Sequence, residues 1–228
     1  MLLPLRILCS AVACAVLAIP VAAQSFGGPV SVVDGDTIRV GGQIVRLHGI
    51  DAPESAQDCG TLQIRWACGD WATGMLRARA EGQAAVCEIT QGRDRYDRVV
   101  ARCTVGGEDL GRWMVSEGAA LAFRKYSLDY DLDEKGAAVA GRGLHGSPFE
   151  RPAVFRQAQR DRQQAKSREG VSDACRIKGN ISVSSGARIY HLPGQEHYDK
   201  TRISTSKGER WFCSEAEARA AGWRRAKR

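Results

Sequence analysis

The chain has 228 residues, a formal charge of +7 and eight cysteines. That length accommodates one good core and a small appended unit rather than several large domains. The positive balance suits a polyanionic partner, although it would serve solubility alone equally well.

Residues 1–23 read as a secretory signal peptide: Arg6, an apolar run over 7–19, then the small residues Ala22 and Ala23 before the expected cut. The run is shorter than the roughly 20 apolar residues of a membrane span, and no later segment approaches that length. An exported protein, secreted or periplasmic, with no stable membrane association after cleavage is therefore expected. Cleavage removes Arg6 and no acid, leaving +6. It also removes Cys9 and Cys14, and the six cysteines that remain are an even number in an exported chain, which argues for disulfides. Pairing of sequence neighbours is the simplest scheme: Cys59 with Cys68, Cys87 with Cys103, and Cys175 with Cys213.

Three short runs rich in β-branched residues follow, over 30–33, 37–40 and 43–48, separated by Asp34-Gly35-Asp36 and by Gly41-Gly42. These are hairpin turn signals, so three antiparallel strands are expected. Over 62–80 the pattern changes, with Ile64, Ala67, Cys68, Trp71, Met75 and Ala78 recurring at helical spacing as a core-facing stripe. A second hairpin is expected from 85–89 to 99–105, its tip at 92–97. Leu110, Trp113, Met114, Glu117 and Leu121 then mark a helix capped by Asp109 and closed near Gly118. A further helical segment lies in 128–144, and Pro148 and Pro152 break the chain after it. Residues 154–168 are polar and basic with few apolar anchors, which fits a solvated helix or linker. From 173 the sequence starts afresh with its own strands, turns and aromatics.

Hydrolysis of a phosphodiester needs a cation, an activated water and donors for the extra charge of the transition state. Asp36 stands at a turn, and Asp51-Ala52-Pro53-Glu54 ends the third strand. Grouped carboxylates repel one another unless a hard cation joins them, and oxygen donors are what calcium prefers. Pro53 biases Ala52 towards extended backbone, fixing the direction of its carbonyl. Arg46 lies in an otherwise apolar strand and needs a partner, whereas Arg93 and Arg95 read as part of a solvated, salt-bridged loop. Arg46 and Asp51 are five apart, which strict alternation places on opposite faces; a bend at Gly49 would re-aim Asp51. Taken singly, each of these motifs is explained by turn and cap chemistry.

Their order is what carries a resemblance. Val33-Asp34-Gly35-Asp36-Thr37, Val45-Arg46-Leu47-His48-Gly49-Ile50-Asp51-Ala52-Pro53-Glu54, Arg95-Tyr96-Asp97-Arg98 and Trp113-Met114-Val115-Ser116-Glu117-Gly118-Ala119-Ala120 together resemble the staphylococcal nuclease family over about residues 29–149. The resemblance implies an α+β chain with an OB-fold, a five-stranded β-barrel with packed helices, hydrolysing DNA or RNA to 3′-phosphate products with calcium. It implies Asp36, Asp51 and the Ala52 carbonyl as calcium ligands, Arg46 and Arg98 as phosphate-binding and transition-state groups, and Glu54 as general base. Tyr96, Lys125 and Tyr126 are the candidates for nucleotide contact. Two positions depart from the family pattern: Ala52 stands where threonine is frequent, and Asp97 where glycine is common, in the loop that presents Arg98.

The expected organisation is a nuclease domain over 27–150, a basic helix or linker over 151–172, and a small C-terminal accessory domain over 173–228, in a monomer. In the last unit Cys175, His191, His197 and Cys213 offer a tetrahedral zinc set as the alternative to a disulfide, without the tight cysteine spacing of strong zinc motifs. The basic end, Arg224 to Arg228, adds non-specific phosphate affinity. Two other readings compete with the nuclease. A non-catalytic OB-fold binding module has no chemical need for Glu54 beside metal-binding aspartates. A structural envelope protein explains the charge but not the carboxylate–arginine set.

Overall fold

A computed structural model describes residues 24–228, so the expected signal peptide lies outside the described residues. The first part opens with β1 (Ser25–Pro29), β2 (Ser31–Asp34), β3 (Thr37–Val40), β4 (Gln43–Leu47) and β5 (Ile50–Asp51). A small hairpin, β6 (Cys59–Gly60) and β7 (Arg65–Trp66), leads into α1 (Cys68–Ala80). The long hairpin β8 (Ala84–Arg93) and β9 (Val99–Val105) follows, then β10 (Glu108–Asp109), α2 (Leu110–Ser116), β11 (Leu121–Ala122), α3 (Asp131–Val139) and α4 (Pro152–Arg168).

Alternation in these strands builds the core. In β9, Val99, Ala101, Cys103 and Val105 point inwards while the residues between them are half-buried, as period 2 requires. Cys87 lies directly opposite Cys103 and the two are bonded, with Cα atoms 4.1 Å apart. Val32, Ile38, Val40, Val45 and Leu47 meet this face, and Leu76, Leu110 and Met114 from the helices close over it. Asp109 caps α2 as expected, accepting from the backbone N–H of Gly111 and Arg112 at 2.9 and 3.2 Å.

The expected closed barrel differs from the observed pairing. The main sheet runs β1-β8-β9-β4-β3-β2, with β10 on β9, and its hydrogen-bonded path does not close. Edge chemistry accounts for this: the Val32 N–H on β2 is taken by the Glu81 carboxylate at 2.8 Å, and β1 ends in Pro29, which has no N–H to offer.

The helix expected over 62–80 starts only at Cys68. The Thr61 hydroxyl accepts from the N–H of Gln63 and Ile64, diverting the backbone into a turn. Gly60, at φ +99°, lies so close to the Ile64 carbonyl that no Cβ would fit. Leu62 and Ile64 are consequently exposed, and the buried face of α1 is Cys68, Ala72, Leu76 and Ala80 instead. The Cys59–Cys68 disulfide ties the small hairpin to the first turn of α1.

Strands β12 (Ile177–Ile181), β13 (Arg188–His191), β14 (Arg210–Phe212) and β15 (Arg224–Arg225), with α5 (Glu215–Ala220) before β15, form a second sheet in the order β14-β12-β13-β15. It has its own apolar cluster of Ile177, Tyr190, Phe212, Ala218 and Trp223. Cys175, just before β12, and Cys213, just after β14, are bonded at the edge where these two antiparallel strands begin and end. The zinc alternative therefore loses its two thiolates, and His191 turns its Nε2 to Asn180 Oδ1 at 3.0 Å. Among the described residues no helix is long and apolar enough to cross a membrane.

Candidate active site

Val45 and Leu47 face the core, so Arg46 between them faces the other side of the sheet. Its cross-strand partner is Thr37 on β3. After Leu47 the strand breaks at His48-Gly49, and Gly49 takes φ +74°. A side chain there would strike the Tyr130 ring, which a Cβ would approach to 2.9 Å. The break resets the alternation and brings Asp51 to the same side as Arg46. The guanidinium then spans two carboxylates: Nη1 lies 2.6 Å from Asp36 Oδ2, and Nη2 lies 3.4 Å from Asp51 Oδ1 and donates to the Ile50 carbonyl at 3.2 Å. Burial works against the charge on Arg46, yet the two carboxylates hold its pKa above the ordinary guanidinium value.

Asp36 and Asp51 are only 6% and 4% exposed. The Thr37 hydroxyl donates to Asp36 Oδ1 at 2.9 Å and accepts from Arg98 Nη1 at 3.0 Å, so one small residue connects the second arginine to the first carboxylate. Arg98 is held by Asp94 as well. Its backbone N–H reaches Oδ1 at 3.0 Å, and its Nε and Nη2 reach Oδ2 at 2.9 and 2.8 Å. Partial burial tends to raise Asp94, but these bonds keep its pKa below the usual carboxylate range. Asp97 adopts φ +63°, the left-handed conformation for which glycine is suited. Arg93 Nη1 donates to its carbonyl at 2.6 Å, so the loop keeps its turn without the glycine.

Arg156 lies in the polar, basic segment whose composition fits a solvated helix or linker. It reaches from the first turns of α4 onto the site instead. Nη1 and Nη2 bond Asp51 Oδ1 and Oδ2 at 3.0 and 3.1 Å, and Nη1 also bonds Glu54 Oε1 at 2.7 Å. Burial opposes its charge, and the bonds to Asp51 and Glu54 nevertheless raise its pKa above the ordinary value. No local pattern marked it, because its partners lie more than a hundred residues earlier. Thr37 and Asp94 give no signal for another reason: a threonine opening a strand and an aspartate in a hairpin tip are already explained by strand and turn chemistry.

Asp36, Arg46, Glu54, Asp94, Arg98 and Arg156 line a cleft of about 670 Å³ together with Tyr96, Lys125, Tyr126 and Arg160. All three expected nucleotide contacts thus border the cleft: Tyr96 and Tyr126 are exposed, and Lys125 lies 5.5 Å from the Tyr126 ring. Ala52 is buried in its wall, with Pro53 and Glu54 beside it.

The charge balance of the cleft bears on a metal ion. Asp36, Asp51 and Glu54 pair with Arg46 and Arg156, while Arg98 is matched by Asp94. Arg93, Arg95, Lys125 and Arg160 also line the cleft, so its rim is cationic; at its floor the carboxylates crowd one another, and burial, then repulsion from Asp36, raises the pKa of Asp34. Among the described residues no three His, Cys, Asp or Glu side chains form a ready cage. Asp36 and Asp51, joined through Arg46, are buried carboxylates, and their oxygens are hard donors of the kind calcium takes.

A sequence model described as "Staphylococcal nuclease homologue" matches residues 44–144. Asp36 and Arg156 fall on either side of that span. The succinoglycan biosynthesis protein ExoI of Rhizobium meliloti (strain 1021) is 39% identical over 120 residues, which are 50% of this chain and 58% of that protein. An uncharacterized endonuclease of Escherichia coli is 34% identical over 112 residues, 47% of this chain and 67% of that protein. A counterpart from Escherichia coli O157:H7, also called an uncharacterized endonuclease, matches to the same extent.

Proposed function

The chain belongs to the family of staphylococcal nuclease homologues, and from that premise we propose that it is an exported, calcium-dependent nuclease that cleaves DNA or RNA to 3′-phosphate products. One observation carries the reading: Asp36, Arg46, Glu54 and Arg98, individually ordinary turn and strand residues, line a single cleft, and Asp51 is ion-paired to Arg46 and Arg156 in its wall. Residues 27–150 would carry the chemistry and 173–228 form an accessory unit.

In this reading Asp36, Asp51 and the Ala52 carbonyl hold the metal, which when bound neutralises phosphate charge. Glu54 accepts a proton from the attacking water as its oxygen bonds to phosphorus, the bond from phosphorus to the 5′ oxygen breaks, and that oxygen leaves with the electron pair and takes a proton from solvent to become the 5′-hydroxyl. Arg156 occupies Glu54 Oε1, and the second carboxylate oxygen is the one placed to take that proton. Arg98 uses one N–H each of Nε, Nη1 and Nη2 on Asp94 and Thr37. A guanidinium carries about five N–H donors, so roughly two remain for phosphate oxygens. Arg46 stays charged beside the buried carboxylates and supplies the second cationic group.

The test is direct. Purified mature protein should degrade single-stranded DNA with added calcium and stop on chelation. Activity indifferent to chelator would remove the calcium assignment, and no cleavage with any divalent ion would favour a binding module. Glu54→Gln or Arg98→Ala should lower turnover by about 100-fold or more in a folded protein, as loss of a transition-state group does.

A further inference from the structure

Beyond the cleft, α4 carries a second anion-binding arrangement. Arg160, Arg162 and Lys166 line a groove of about 510 Å³ whose other side includes Thr205 and Ser206. No carboxylate lines this groove, and glutamines and hydroxyls complete it. Arg160 Nη2 donates to the Gln157 side chain at 2.7 Å. Among the described residues none of the three cations is paired with an acid, although the neighbouring Asp161 is within 3.9 Å of Arg202.

A row of cations on an exposed helix is ordinarily just solvated. Two features distinguish this one. Its facing wall is held in place: Gln163 Nε2 donates to Ser204 Oγ at 3.2 Å, the Ile203 N–H donates to Gln164 Oε1 at 3.1 Å, and Trp211 Nε1 donates to Ser167 Oγ at 3.2 Å. The cations therefore look into a walled groove, where the field is focused rather than dispersed. Arg160, moreover, lines both this groove and the catalytic cleft.

We propose that this groove is a distal phosphate-binding site that receives the backbone of the substrate strand as it leaves the cleft. The proposal rests on the nuclease reading above. Ten residues separate Arg156 from Lys166, about 15 Å along a helix axis. At roughly 3.4 Å of rise per nucleotide in duplex geometry, that spans about four nucleotides. No aromatic side chain lines the groove to stack a base, and its three cations favour contact with phosphate, which is independent of sequence. The hydroxyl and amide groups of the wall donate to phosphate oxygens alongside the three cations.

The experiment compares a trinucleotide with a single-stranded 20-mer as substrates for the full chain, its R162E/K166E variant and, in case charge reversal disturbs folding, R162A/K166A. Neither position lines the catalytic cleft. The variants should raise KM for the 20-mer by about tenfold and flatten the dependence of log KM on log salt by roughly one to two. Both constants for the trinucleotide should stay unchanged. Equal KM for the 20-mer in all three proteins, or equal losses on both substrates, would overturn the groove. If even the unaltered chain cleaves neither substrate, the nuclease reading fails on its own. Binding of the 20-mer in chelator, read by fluorescence anisotropy, then decides the groove: weakening in the variants supports it and unchanged binding rejects it. Variant-sensitive binding of an acidic polysaccharide, with 20-mer binding untouched, would also reject a nucleic-acid groove.

Discussion

Thr37 has one hydroxyl proton and gives it to Asp36, which leaves its lone pairs for Arg98. Asp94 holds the same arginine from the other side through both carboxylate oxygens. The direction of Arg98 is thus set by residues that need never touch substrate. Asp94→Asn should keep the loop but weaken this grip. We expect kcat to fall by about tenfold or more with little change in KM, because small misplacements of a transition-state group are costly. A change confined to KM would show that Asp94 acts on binding instead. Arg156 invites the opposite test. Its guanidinium covers both oxygens of Asp51, so a cation using that carboxylate must compete with it. Arg156→Gln should tighten calcium binding by about fivefold, the equivalent of roughly 1 kcal/mol for a partly exposed ion pair. Calorimetry on the calcium titration checks this, and weaker binding would mean that Arg156 organises the carboxylates rather than competing for them.

At the scale of elements, the site depends on a strand that breaks at one place. Gly49 at φ +74° separates β4 from β5, and the Tyr130 ring leaves no room for a Cβ. Gly49→Ala should cost about 1–3 kcal/mol of stability through left-handed strain and the ring contact; denaturant unfolding would read it, and an unchanged midpoint would show that the ring yields. This bend was legible in the sequence, since Arg46 and Asp51 shared a side only if alternation was reset between them. The hairpins and the Asp109 cap were legible too, because turn residues and period 2 act over a few positions. The start of α1 was not: Ile64 continued the helical spacing, but the Thr61 turn and the Cys59–Cys68 bond decided the backbone there. The docking of α4 left no local trace. Its apolar content is low, and what seats its first turns includes an ion pair with residues far away in the chain.

Across the whole molecule α4 joins two differently built parts. Its start holds Asp51 and Glu54 through Arg156, and its end stacks Arg168 on Trp211 of the second sheet at 4.4 Å. Between them the two parts hold three buried or half-buried histidines that prefer to be neutral. His48, with Thr90 on its Nδ1 and Arg102 nearby, and His145 belong to the first part; His191, beside Lys178 and His197, belongs to the second. Burial is the leading cause in all three, and each pKa lies below the usual 6.5. The folded protein therefore binds fewer protons than the unfolded chain between those depressed values and 6.5. Stability from these groups is fully present above about pH 6.5 and is lost as pH falls through that window. The depressed carboxylates, Asp94 among them, begin to add to the loss only at lower pH, while Asp34, which is raised, acts in the opposite sense. The unfolding midpoint measured in chelator should fall between about pH 7 and pH 5. His191→Asn should remove only the share belonging to the second sheet. A midpoint flat across that interval would mean that the three imidazoles charge within the folded state without resistance, which their burial does not allow.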